Sequence, residues 1–252
     1  IRVSRVRTPD DAPKTSEFNS EVFYLTILVH LYKYLYYAII PTIFLLFTKE
    51  NLVMKLVCLD LEGVLVPEIW IAFAEETGLE ELKKTTRDEP DYDKLMQYRL
   101  DILAENNLGL EQIQNTIEKI DPLPGAIEFL NELRELTQVV IISDTFSEFA
   151  KPLMKKLGYP TLFCNDLDVA DDGKITGIKM RLEDSKLNTV KAFQLAGCET
   201  IASGDSFNDL GMIKQSQHGF LFRSTESIKK DYPDVPAFEE YDELLAAIKK
   251  SL

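Results

Sequence analysis

Two carboxylates stand two positions apart in Asp60-Leu61-Glu62-Gly63-Val64, directly after the apolar run 55–59 (KLVCL). On extended backbone, residues i and i+2 share a face, so both side chains can approach one substrate. Alone the pair says little, because acidic loop residues are common. Its context says more. A second apolar run, 138–142 (QVVII), ends at Ser143-Asp144-Thr145, Lys186 opens a helical stretch, and a third run, 200–203 (TIAS), enters Gly204-Asp205-Ser206-Phe207-Asn208-Asp209. Phosphoryl transfer calls for this inventory: an in-line nucleophile, neutralised non-bridging oxygens and a proton for the leaving oxygen. The carboxylates also supply the hard oxygen donors that a magnesium ion requires.

The elements that must position these groups can be read from periodicity. The runs 55–59, 138–142, 200–203 and 218–222 read as buried strands, and 124–136, 147–157, 186–196 and 239–250 as helices, with Gly158 and Gly197 as stops. Strands alternating with helices predict an α/β fold with a doubly wound parallel sheet, Rossmann-like, whose ligands bind beyond the carboxyl ends of the strands. The acidic residues lie at those ends. Residues 67–120 hold only helical patterns (68–77, 92–104 and 110–120), which predicts a small helical cap inserted after the first strand. The core is then 54–66 and 121–252. Residues 161–180, with Asp172-Gly173 between two β-prone stretches, predict a hairpin beside the main sheet.

The ordered set D-x-E-G-V, S-D-T, a lysine and G-D-S-x-N-D resembles the four motifs of the haloacid dehalogenase superfamily of phosphatases. Within it, residues 54–252 are most similar to phosphoserine phosphatases, in particular the branch described as bifunctional phosphoserine phosphatase and homoserine phosphotransferase. The similarity runs through DLEGVLVPEIWIAFAEETG (60–78), TTRDEPDYDKLMQYRL (85–100), VVIISDTF (139–146) and GDSFND (204–209), and excludes 1–53. It implies that Asp60 is the nucleophile and Glu62 the acid and base. It implies Mg2+ held by Asp60, the Glu62 carbonyl and Asp205, with Asp209 on a metal-bound water or on Lys186. Ser143 and Lys186 would bind the phosphate, with Asp144 and Asn208 beside it. Arg99 would take the substrate carboxylate and Glu68 its ammonium. Superfamily phosphatases usually carry Asp at the Glu62 position, but this branch itself carries Glu there. Two plainer readings stay open: Arg99 as a solvated cap residue and Glu68 as a helix-start acid. Trp70, Phe73 and Tyr92 read as cap packing, and His30 and His218 have no partners in the sequence. The substrate is a small molecule, phosphoserine, with homoserine as a second acceptor. The rival is another small phosphorylated metabolite.

Composition narrows the remainder. The 252 residues are 45% hydrophobic, enough for a sizeable core, and the formal charge of -14 argues against nucleic-acid binding. Cys58, Cys164 and Cys198 lack metal-ligand spacing and fit reduced thiols in the cytoplasm. Residues 1–21 read as disordered, while 22–47 is an apolar run long enough to span a bilayer. Three readings of 1–53 stand: a non-catalytic leader translated from an upstream start, a single membrane anchor, or a buried helix. A membrane partner follows only from the second. A homodimer is allowed, although no residue argues for it.

Overall fold

The computed structural model describes residues 20–39, 53–85, 88–89 and 91–252, and by its contacts the chain divides into two units, Ile1–Leu52 and Val53–Leu252. The first holds helix α1 (Ser20–Tyr34), continued by a π-helical turn, Leu35–Ile39. Ser20 and Glu21, expected to be disordered, lie in the first turn of α1. Residues 1–19 of that stretch and 40–47 of the apolar run lie outside the described residues. Among the described residues, no helix is long and apolar enough to cross a membrane.

The second unit is built on seven strands: β1 (Lys55–Leu59), β2 (Gln138–Phe146), β3 (Thr161–Val169), β4 (Ile175–Lys179), β5 (Glu199–Gly204), β6 (His218–Phe222) and β7 (Ala237–Phe238). Their order is β4-β3-β2-β1-β5-β6-β7, parallel except for the antiparallel edge pair β3–β4. The chain fills one side of β1 and then crosses to the other at β5. The carboxyl end of β1 is therefore the switch point where such sheets bind ligands. Its side chains alternate between two cores. Val57 and Leu59 meet α5 (Ala126–Leu136), α6 (Ser147–Met154) and α10 (Tyr241–Ser251). Leu56 and Cys58 meet α7 (Ser185–Leu195), α8 (Leu210–Gln215) and α9 (Glu226–Asp231). Burial on both faces is why KLVCL is apolar throughout.

Between β1 and β2 stand α2 (Ile69–Thr77), α3 (Tyr92–Glu105) and α4 (Leu110–Ile117). Gly78 at φ 72° ends α2, and the Asp91 carboxylate accepts the Lys94 N–H at 3.2 Å to start α3. These helices are bonded to the sheet domain at several points. Leu110 N–H reaches the Gly173 carbonyl (2.9 Å), Gln114 Nε2 the Glu148 carbonyl (2.8 Å), and Lys156 Nζ the Glu118 and Ile120 carbonyls (both 2.8 Å).

The expected hairpin differs in one respect: β3 pairs in parallel with β2, so it extends the main sheet, and only β4 is added beyond it. The strand expected at 138–142 continues to Phe146, carrying Ser143 and Asp144 on strand backbone.

Candidate active site

The β1 ladder delivers Asp60 to the centre of the sheet edge, with its N–H still donating to the Ser203 carbonyl at 3.0 Å. Asp60 is 4% exposed. Its Oδ1 accepts the Leu61 N–H (2.8 Å) and faces Lys186 Nζ at 3.0 Å. Lys186 also donates to Asp209 Oδ1 at 2.6 Å. Asp209 is fully buried, and its other oxygen accepts the backbone N–H groups of Asp205 and Ser206, each at 3.0 Å. The loop after β5 is thus folded around one carboxylate, and Gly204 allows it, since a Cβ there would overlap the Asp209 side chain.

Asp60, Asp205 and Asp209 can each bring one carboxylate oxygen within 4.8 Å of the others. Burial and repulsion from Asp209 push Asp60 well above the usual carboxylate range, against the pull of Lys186. Burial, Asp209 and Glu68 push Asp205 up to about 7. Burial alone would lower Lys186, but Asp209, Asp60 and Asp144 together hold it well above its ordinary value. One ammonium does not balance this cluster, and its all-oxygen donor set suits a hard divalent cation. The space beside Asp205 exists because residue 63 is glycine: at φ 76°, a Cβ would lie 2.5 Å from the Asp205 Cγ. The residues therefore fit a cation, with Asp60 and Asp205 the least encumbered ligands.

Glu62 lies on the next turn of the chain, and its Oε2 accepts the Ile69 N–H at 2.8 Å, capping α2 from outside the helix. Burial and the neighbouring Glu68 raise it to about 8, overriding Ile69, Arg99 and Thr145, which pull the other way. The balance favours its protonated form around neutral pH. The Val64 carbonyl in the same loop accepts Tyr241 Oη from α10 at 2.6 Å.

A cavity of about 320 Å³ opens above these groups, lined on the sheet side by Asp60, Ser143, Lys186 and Asp205. Glu68, Trp70, Tyr92 and Arg99 line it from the helices. Arg99 is 7% exposed, so the solvated reading of it is excluded. Its Nη2 donates to the Lys84 carbonyl (2.8 Å), its Cζ stands 4.6 Å over the Trp70 ring, and its Nε has no partner among the described residues. Glu68 is exposed at the rim and directly precedes α2. Asp144 and Asn208 also line the cavity and are hydrogen-bonded to each other (2.8 Å). Every residue expected in the site thus lies in or against one cavity. Trp70 and Tyr92, expected only to pack, line it too, whereas Phe73 is core as expected. Thr145 and Ser185 were missed, and only their adjacency to Asp144 and Lys186 could have signalled them. His218 begins β6, at the sheet edge opposite the site.

A buried aspartate at the tip of the central strand, a lysine bridging two carboxylates and a helical insertion over them define a class. The chain belongs to the haloacid dehalogenase-like hydrolase family, whose profile matches residues 54–217. Among its relatives, the phosphoserine phosphatase ThrH of Pseudomonas aeruginosa is 51% identical over 191 residues, covering 76% of this chain and 93% of that one. A phosphoserine phosphatase of Pseudomonas syringae pv. tomato is 47% identical over 207 residues, covering 82% and 87%. A solved phospho-aspartyl intermediate analogue of phosphoserine phosphatase superimposes with a TM-score of 0.65 at 25% identity, over 77% of this chain and 99% of that chain. A substrate-bound phosphoserine phosphatase complex gives 0.64 at 27% identity, over 79% and 98%.

Proposed function

We propose that residues 54–252 form a magnesium-dependent phosphoserine phosphatase that works through an aspartyl-phosphate, with 54–66 and 121–252 as the catalytic core and 67–120 as its cap. The observation that carries this reading is the buried Asp60–Lys186–Asp209 cluster at the tip of β1, beside the Glu62 carboxyl that caps α2. Asp60 Oδ attacks phosphorus, and the bond from phosphorus to the seryl oxygen breaks as Glu62 gives that oxygen its proton. Glu62, now a carboxylate, takes a proton from water, whose oxygen attacks phosphorus and releases Asp60. Lys186 and the Ser143 hydroxyl hold the non-bridging oxygens, and Asn208 lies within reach of the same group. Asp60, Asp205 and the Glu62 carbonyl would hold Mg2+, which supplies positive charge against the charge developing on the phosphoryl group. Asp209 is the anchor of Lys186.

At the other end, Arg99 offers a buried N–H to the substrate carboxylate, and Glu68 at the rim faces the ammonium. A zwitterion needs one fixed charge of each sign. The strong similarity to the two Pseudomonas phosphoserine phosphatases supports this substrate over another small phosphate ester. Transfer to homoserine is the same second step with an alcohol in place of water. Three free, buried cysteines support a reducing, cytoplasmic setting. The test is turnover of L-phosphoserine with and without homoserine, reading free phosphate and phosphohomoserine. Phosphoserine is consumed, a chelator stops the reaction and added Mg2+ restores it. An enzyme indifferent to the chelator, or active only on other phosphate esters, refutes the reading.

A further inference from the structure

Asp144, near the end of β2, receives hydrogen bonds from four different elements. Its Oδ1 accepts Ser185 Oγ at 2.8 Å and its Oδ2 accepts Asn208 Nδ2 at 2.8 Å. Its main-chain oxygen accepts Tyr92 Oη at 3.1 Å and Asn165 Nδ2 at 3.2 Å. The first turn of α7, the loop after β5, the first turn of α3 and strand β3 therefore all close on one residue. Two of these carry the phosphate and cation machinery: Ser185 immediately precedes Lys186, and Asn208 lies between Asp205 and Asp209. The Asn208 side-chain Oδ1 in turn accepts Ser206 Oγ, so the tie continues into the loop.

The resemblance places Asp144 among the substrate ligands, yet its carboxylate is poorly suited to that task. It stands 3.8 Å from Lys186 Nζ, beyond hydrogen-bond reach, at the end of the cavity that must accept a phosphate dianion. There it repels the phosphate, and the one part of the substrate it could attract is the ammonium. Both of its oxygens already accept protein donors. We infer that Asp144 is a positioning residue that acts through Ser185 and Asn208 to hold Lys186 and the 205–209 loop in register with Asp60, and does not bind the substrate's ammonium. This rests on the proposed phosphatase reading. Displacing a reacting group by about 1 Å costs on the order of 100-fold in rate, so a side chain that touches no substrate can still matter this much.

The two roles give different kinetics. The probes are L-phosphoserine and p-nitrophenyl phosphate, which has no ammonium. Asp144→Ala is expected to lower kcat on both by the same factor, on the order of 10- to 100-fold, with the KM for phosphoserine little changed. Asp144→Asn is the deciding variant. Its Oδ1 can still accept Asn208 Nδ2 and its Nδ2 can donate to the Ser185 hydroxyl, so both ties survive without the charge. It should recover most of the lost kcat. Ser185→Ala, which leaves Asp144 in place, should reproduce part of the loss on both substrates, and it carries the test if Asp144→Ala does not fold. A rise in KM confined to phosphoserine, equal in the Ala and Asn variants, means an ammonium ligand and overturns the inference. So does a lowered Tm with unchanged kcat in the folded variants, which means a purely structural residue. Should the wild-type enzyme ignore phosphoserine, the parent reading falls, while the aryl phosphate arm still reports on Asp144.

Discussion

At the sheet end of the cavity, the protein's own groups already answer each other: Lys186 lies between Asp60 and Asp209, and Asp209 takes two backbone N–H groups besides. At the helix end, Arg99 is also buried, yet its Nε meets no acceptor among the described residues, and its direct contacts are a ring, a thioether and one carbonyl, with Glu62 and Glu68 acting on it only through their charge. A buried donor without a partner costs about 1–3 kcal/mol, and more when charged, unless a ligand completes it. The sheet end is thus organised by the protein's own groups, and in the proposed reading the helix end is completed by substrate. That division assigns chemistry to one end and choice of substrate to the other.

If the division holds, substitutions at the sheet end lower kcat for any phosphate ester, and those at the helix end raise KM for phosphoserine alone. The largest effect should come from Asp60→Asn, a loss on the order of 10⁵-fold on both phosphoserine and an aryl phosphate, measured as phosphate release. Glu62→Gln comes next. In kcat/KM, which reports the first transfer, it should cost about 10²- to 10⁴-fold on phosphoserine and much less on p-nitrophenyl phosphate, whose leaving group departs without a proton. The same acid sets the pH dependence. Because Glu62 is raised to about 8, the protonated form persists through neutrality, and kcat/KM for phosphoserine should fall as pH rises past about 8. An aryl phosphate should lack that alkaline limb, and its presence there would assign the limb to another group. Arg99→Ala should raise KM for phosphoserine by about 30- to 1000-fold, equivalent to about 2–4 kcal/mol, with the aryl phosphate nearly unaffected. An equal loss on both would erase the distinction between the two ends. The smallest effect belongs to Trp70→Leu: removing the ring under the guanidinium should raise KM for phosphoserine roughly fivefold, about 1 kcal/mol, with kcat retained.

The sheet end was also the more legible of the two from sequence. Apolar runs buried on both faces stop where polar chemistry begins, so Asp60, Ser143 and Asp205 announce themselves at the ends of those runs, although β2 itself continues past Ser143 to Phe146. The helix end gives weaker signals. Trp70 and Tyr92 sit at helical spacing among apolar residues, and nothing local separates an aromatic ring lining a cavity from one filling a core. Their part depends on Arg99 and Asp144, which are distant in sequence. The helices 210–215 and 226–231 and the strand 237–238 are too short for a period to emerge. The place of β3 in the main sheet was hidden for a different reason: a hairpin pattern fixes its two strands against each other and leaves open what the first pairs with on its other edge.

Tyr241 links these regions in a way that local sequence could not show. Its hydroxyl holds the Val64 carbonyl, two residues beyond Glu62, and its ring packs against Phe129 and Phe222. The loop that carries Glu62 is therefore braced by α10, to which the proposed mechanism gives no reacting group. A protein cut back before Tyr241 would keep every side chain that touches phosphate and lose the strut behind one of them. In the proposed mechanism, damage to α10 would then read out as faulty proton delivery, in a segment that a search for reactive residues passes over.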